Sequence, residues 1–237
     1  MSRYVQGGQP DAGGRIALAR LAGIADVSAA GEIVFEFEDP ADRLGEATNA
    51  SPHRTQVDAA LTCTGTSGTR TLLLIEVKLT EIDFSRCSGY EADANDRRDI
   101  CCTTGPFGNN PTGCFKLRNH DREPRRTYDV QLGPTPTPPG TSGCTFRLGT
   151  TQPMRNVALG RALLAIGKAD EVVHALAAPR ANQTIWRRWA EAKAALAGIP
   201  NARLADLPAD ELLVLHDAER AKELASRYEL PPHGPGA

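Results

Sequence analysis

Glu76 and Lys78 stand two residues apart at the polar end of an otherwise apolar run, Thr71-Leu-Leu-Leu-Ile-Glu76-Val-Lys78-Leu79. Strand residues at i and i+2 point to one face, so in a strand the carboxylate and the ammonium emerge side by side. The run before Glu76 is continuously apolar, which marks a central strand rather than a solvated edge. A preceding strand is predicted from about Thr55 to Cys63. The Gly/Ser/Thr connection from Thr64 to Arg70 reads as a hairpin loop between the two. If Cys63 pairs with Thr71, Asp58 falls opposite Glu76, and cross-strand partners hold their Cβ atoms roughly 4.5–5.5 Å apart. Two carboxylates that close repel unless a cation or a proton lies between them. Asp58, Glu76 and Lys78 at one strand end are what a hydrolytic Mg²⁺ site needs. They offer hard oxygen ligands for the cation and a Lys to orient or deprotonate a water, or to stabilise charge developing on a phosphate. The bland reading of the same residues is a structural ion-pair cluster on a solvated sheet face.

Further candidates surround this set. Glu32 to Glu38 alternates as a strand, with Ile33, Phe35 and Phe37 on one face and Val34, Glu36 and Glu38 on the other; Asp39-Pro40 ends it. Glu36, Glu38 and Glu81 are auxiliary acids, the last placed where the Glu76 strand gives way. Gln152, Arg155 and Asn156 open a helix, where backbone N–H groups and an Arg suit phosphate or DNA contact; a plain polar first turn is the alternative.

The rest of the chain supplies the elements that must position these groups. An amphipathic helix covers Arg15 to Ala22, and Tyr90 to Ile100 is a polar helix. Pro153 stands in the first turn of a helix whose stripe of Val157, Ala158, Ala162, Leu163 and Ile166 runs to a Gly167 cap. Glu171 to Ala178 is a buried strand carrying His174, read as a core or groove histidine. Gln183 to Leu196 is amphipathic, Ile199 to Asp210 is turn-rich, and a last helix lies near Asp217 to Tyr228. The order predicts an α/β or α+β fold around a mixed sheet. All 237 residues form one domain in this reading, with an irregular Cys/Pro/Gly-rich insertion at about 101–150.

Composition narrows the classes. The chain is 41% hydrophobic and 24% charged with a net charge of −2, which argues against a protein that coats nucleic acid generally. Local basic patches are still compatible with it: Lys116, Arg118, Arg122, Arg125 and Arg126 cluster. No apolar run reaches the length of a membrane span, and the N-terminal residues lack a signal peptide's apolar core, so no membrane partner and a cytoplasmic location are the expectation. Cys87, Cys101, Cys102 and Cys114 fall close together, with Cys144 as a fifth candidate for a metal or iron–sulfur site. They lack the C-x₂₋₄-C knuckles of zinc ribbons, and buried free thiols are the favoured reading.

Asp58 followed by Glu76-Val77-Lys78 resembles the motif of the PD-(D/E)XK, or restriction-endonuclease-like, nuclease superfamily. The likeness is closer to a bacterial group of uncharacterised restriction-endonuclease-like proteins. That group is similar in Phe35-Glu-Phe-Glu-Asp-Pro40, Thr55-x-x-Asp58-Ala59, Ile75-Glu-Val-Lys-x-Thr-Glu81, spaced cysteines and Gln152-x-x-Arg155-Asn156. The likeness spans approximately residues 30 to 197. Two positions depart from the superfamily pattern. Val57 precedes Asp58 in place of Pro, and the first helix lacks a Glu, a place that Glu36 or Glu38 would take.

The resemblance implies a restriction-endonuclease-like core with a central mixed β-sheet flanked by helices. It implies a metal-dependent endonuclease that hydrolyses DNA phosphodiester bonds in restriction or defence, repair or mobile-element processing. Mg²⁺ would be the cofactor, with Mn²⁺ as a substitute, held by Asp58, Glu76 and the Val77 carbonyl. DNA would be the partner, and many nucleases of this fold pair as homodimers to cut two strands. The alternative is a non-catalytic nucleic-acid-binding module that retains the nuclease fold.

Overall fold

A computed structural model describes residues 10–47, 53–96, 98–102, 114–117, 126–133, 143–147, 149–216 and 218–228. The strands are β1 (Ala29–Glu38), β2 (Gln56–Thr64), β3 (Arg70–Val77), β4 (Glu171–Ala178) and β5 (Ala202–Pro208). They form one five-stranded sheet in the order β1-β2-β3-β4-β5. The helices are α1 (Ala12–Leu21), α2 (Ser88–Glu91), α3 (Arg98–Cys101), α4 (Tyr128–Leu132), α5 (Thr151–Ala165), α6 (Gln183–Ala195), α7 (Ala209–Leu212) and α8 (Ala218–Arg227). The expected α/β arrangement, a central mixed sheet flanked by helices, is the observed one.

The first three strands are antiparallel neighbours, and Cys63 pairs with Thr71 as the hairpin reading required. From β3 onward the sheet is parallel, with Glu76 beside Leu176 and Leu74 beside His174. Parallel neighbours need a crossover, which the stretch carrying α5 supplies before β4 and α6 supplies before β5. Burial on both faces explains why β3 and β4 read as continuous apolar runs rather than alternating ones.

The pleat sorts their side chains between two cores. Leu73, Ile75, Val173 and Ala175 pack toward α1 with Leu18, Ala19 and Ala22. Leu72, Leu74 and Val172 pack toward α5 with Met154, Val157 and Ala158. Glu76, in phase with Leu72 and Leu74, therefore turns toward α5.

Caps match the local chemistry. Asn182 accepts from the Ile185 N–H at the start of α6. Gly167, at φ +69°, takes the left-handed conformation after α5, and its N–H reaches the Leu164 carbonyl.

Three expectations are corrected. The segment read as turn-rich, Ile199 to Asp210, contains β5, a half-buried edge strand whose Ala, Asp and Pro content gives little strand signal. Tyr90 to Ile100 is not one helix but the end of one helical turn, α2, and the start of another, α3, separated by turns. Ile33, Phe35 and Phe37 do not share a face: Ile33 packs in the α1-side core, Phe37 against the α5-side core, and Phe35 is 52% exposed. Glu36 adopts φ +50°, and this left-handed residue breaks the strand's alternation between Phe35 and Phe37. From the irregular 101–150 stretch, Leu117, Tyr128, Leu132 and Phe146 are buried in the α5-side core. The Pro-rich segment 134–140 lies outside the described residues, as do Arg118, Arg122 and Arg125. Among the described residues no helix is long and apolar enough to cross a membrane.

Candidate active site

The β2–β3 ladder runs from Thr64 opposite Arg70 to Ala59 opposite Ile75. One step further lies Asp58, and its Oδ2 accepts the Val77 N–H at 2.7 Å. The side chain thus closes the strand pairing that the backbone has stopped making. Its other oxygen, Oδ1, has no hydrogen-bond partner among the described residues, and Asp58 is exposed. Val77 enters the site through this N–H.

Glu76 lies deeper, at 4% exposure. Its Oε1 is 2.8 Å from Lys78 Nζ and accepts a hydrogen bond from Gln152 Nε2. Its Oε2 accepts from Asn156 Nδ2 at 3.0 Å. Burial pushes its carboxyl up to about 7; the Lys78 ammonium and the donated hydrogen bonds pull the other way, while the negative Asp58 adds to the rise. The upward push wins because a carboxylate out of water loses more solvation than one ammonium and neutral amides return. Asp58, Glu76 and Lys78 are therefore brought together at the α5-side end of β2 and β3.

The donor set fits a small hard cation. Asp58 presents an oxygen without a partner among the described residues, Glu76 carries a charge that burial disfavours, and Mg²⁺ uses one or two carboxylates plus waters rather than a full protein cage. Among the described residues no group of three or more His, Cys, Asp or Glu side chains is placed to hold a metal ion.

The auxiliary acids are placed less centrally. Glu36 faces Asp58 across the β1–β2 register, between the pairs Phe35–Ala59 and Phe37–Val57, and it is exposed. Glu38 accepts from Gln56 Nε2 at 3.3 Å and lies 3.8 Å from Arg54. The Glu81 carboxylate accepts from the Thr80 N–H, and its carbonyl accepts from Asn182.

Gln152, Arg155 and Asn156 turn inward from the start of α5. Gln152 and Asn156, one turn apart on α5, both point at Glu76. Arg155 turns to a separate buried group: its Nε and NH2 each lie 2.9 Å from Glu46 Oε1. Glu46 also accepts from the Thr55 and Tyr128 hydroxyls. Burial alone would push the Glu46 carboxyl up, but Arg155 and these hydroxyls hold it below its ordinary range. Reasoning from the sequence missed Glu46, Thr55 and Tyr128 as partners. The one signal was a lone Glu and a lone Tyr, each flanked by polar loop.

His174 is 3% exposed, with neither ring nitrogen hydrogen-bonded among the described residues. It is a core histidine, as expected, and it lines a small cavity with Glu76 and Asn156. Cys87, Cys102 and Cys114 are buried and Cys144 is half-buried, and none of the four is in a disulfide. Burial pushes the Cys114 thiol up to about 12, with Cys144 and Cys87 adding to the rise. The Cys101 side chain lies outside the described residues.

Compared with protein-family models, with curated proteins and with solved structures, the chain matches none.

Proposed function

We propose that this chain is a metal-dependent nuclease that hydrolyses DNA phosphodiester bonds, with Asp58, Glu76 and Lys78 as its working groups. The observation that carries the reading is the buried Glu76 carboxylate held between Lys78 and the Asp58 strand end, with its charge disfavoured by burial. A carboxylate buried merely for stability would be matched by its partners. This one is left with a raised pKa despite Lys78 and two amide donors, a perturbation that clusters at functional sites.

Asp58 Oδ1 and Glu76 would hold Mg²⁺, or Mn²⁺ in its place. When bound, such a cation supplies Lewis-acid stabilisation of charge developing on a phosphate. The chain's own residues do the remaining work. Gln152 and Asn156 fix both oxygens of Glu76, so the carboxylate keeps its direction when a ligand arrives. The Asp58 bond to Val77 fixes the second carboxylate to the strand end. Lys78, with a side chain 12% exposed, reaches Glu76 from the rim. From there its ammonium can swing to the phosphate, or a Lys that has lost its proton can take one from water.

Purified protein is tested on plasmid and oligonucleotide DNA with Mg²⁺ or Mn²⁺, and again with EDTA. Cleavage that needs the metal and vanishes in Asp58→Asn supports the reading. Cleavage unaffected by EDTA rejects it.

A further inference from the structure

Behind Glu76, between α5 and the sheet, lies a cavity of about 10 Å³ lined by Glu76, Asn156 and His174 together with Leu74, Pro153 and Trp189. That volume is about one water-sized probe sphere, the smallest space that holds a water. Its polar walls are incomplete. Asn156 spends its amide N–H on Glu76 Oε2, which leaves Asn156 Oδ1 buried without a partner, and both nitrogens of His174 are in the same condition among the described residues. Two residues with unpartnered buried polar atoms lining one water-sized space are unusual, because such groups are nearly always satisfied by protein or by ordered water. We propose that one structural water fills this cavity and that through it His174 holds the Asn156 amide in the orientation that positions Glu76. The proposal rests on the nuclease reading for its functional consequence and on the cavity alone for its water.

One water can serve one ring nitrogen and the Asn156 oxygen together. A neutral imidazole has one N–H donor and one acceptor. The water accepts from the His174 N–H and donates to Asn156 Oδ1, which leaves its second hydrogen for the Glu76 carboxylate. Burial pushes His174 down to about 3, so the ring stays neutral across the working pH range. The backbone supports the ring's placement. A Cβ at Gly160, one turn beyond Asn156 on α5, would lie 2.7 Å from His174 Cε1 and 2.8 Å from Nε2. Glycine lets the Cε1–Nε2 edge of the ring approach the helix that carries Asn156 and Gln152. The Glu76 carboxylate already draws the Asn156 N–H toward it; the water anchors the amide oxygen on the opposite side and so holds the side chain at both ends.

His174 touches neither solvent nor DNA in this account, so it is a positioning residue. The test uses full-length protein labelled with ¹⁵N at histidine and asparagine, free of metal. A nuclear Overhauser cross-peak from water to the His174 ring N–H or the Asn156 amide, with the sign of a long-lived water, is expected. His174→Leu, which fills the space and removes the donor, should lose that cross-peak. It should also slow Mg²⁺-dependent cleavage at saturating DNA about 10-fold, the usual cost of losing such a supporting partner, with KM for DNA unchanged. His174→Gln, which restores a donor, should bring the rate back to within about 3-fold. If His174→Leu does not fold, the wild-type cross-peak and the His174→Gln rate decide. Absence of the water cross-peak in the wild type overturns the proposal, whether or not the protein cleaves DNA. So does a His174→Leu enzyme with wild-type turnover. A protein that shows the water but cleaves nothing leaves the cavity assignment standing and removes the nuclease reading.

Discussion

Replacing Glu76 by Gln should change how the stability of this protein depends on pH. The Glu76 carboxyl is raised from 4.5 to about 7 by burial, against the pull of Lys78. At 1.36 kcal/mol per pH unit this corresponds to about 3 kcal/mol. The sign follows from which state holds the proton. Below pH 4.5 the folded and unfolded chains both carry it, and Glu76 makes no difference. Between 4.5 and 7 the unfolded chain ionises while the folded chain keeps its proton, so stability falls as pH rises. Above 7 the loss is complete and constant. The unfolding free energy of the wild type minus that of Glu76→Gln should therefore drop by about 3 kcal/mol across pH 4.5 to 7 and stay flat on either side. His174 works in the opposite direction, because its pKa is pushed down to about 3 by burial and acid charges it only in the unfolded chain. That contribution is present in both proteins and cancels in the difference. Urea unfolding followed by circular dichroism, in EDTA and at pH 4 to 8, gives the curve. A flat difference would show that Glu76 is not strained by its surroundings. A difference that rises with pH would show that Lys78, Gln152 and Asn156 stabilise the carboxylate outright, and the argument for a site awaiting a cation would fail.

Other consequences can be measured on the same material. Arg155→Met strips the buried Glu46 of its counter-charge and should cost about 3–5 kcal/mol in urea unfolding, whereas a surface ion pair would cost under 1 kcal/mol. Gly160→Ala drives a methyl group into the His174 ring and should cost about 1–3 kcal/mol by the same measurement; a neutral outcome would mean that the ring moves freely. Lys78→Ala should fold normally and slow cleavage on the order of 10²–10⁴-fold, as for loss of a positioned acid–base group, and single-turnover kinetics at saturating Mg²⁺ would show it.

The hairpin was legible because its information is local. Apolar runs bracket a Gly/Ser/Thr loop, and that alone sets Cys63 against Thr71 and brings Asp58 to Glu76. The β4 strand, Glu171–Ala178, and the α5 boundary at Gly167 were legible for the same reason: a short apolar run stopped by Pro179 and a glycine at the end of a helical stripe are local signals. The direction of Gln152, Arg155 and Asn156 was not, since a helix start looks the same whether it faces solvent or a sheet. Only the parallel crossover to β4 decides that α5 lies over Glu76. The Glu46–Arg155 pair spans 109 residues of sequence, and nothing near either residue points to the other. Phe35 misled because alternation was extrapolated through Glu36, whose left-handed backbone has no side-chain signature. β5 was hidden by small and polar residues that become a strand by pairing with β4.

DNA cleavage by the wild type and by Asp58→Asn, side by side with Mg²⁺ and with EDTA, tests the central claim most directly. Asp58→Asn keeps the shape that accepts the Val77 N–H and removes the charge that would hold the cation. Because Lewis-acid stabilisation is worth several kcal/mol, the account predicts metal-dependent cleavage by the wild type and none detectable by Asp58→Asn under the same conditions. Equal rates for the two proteins, or wild-type cleavage that persists in EDTA, would show that Asp58, Glu76 and Lys78 are not the active site.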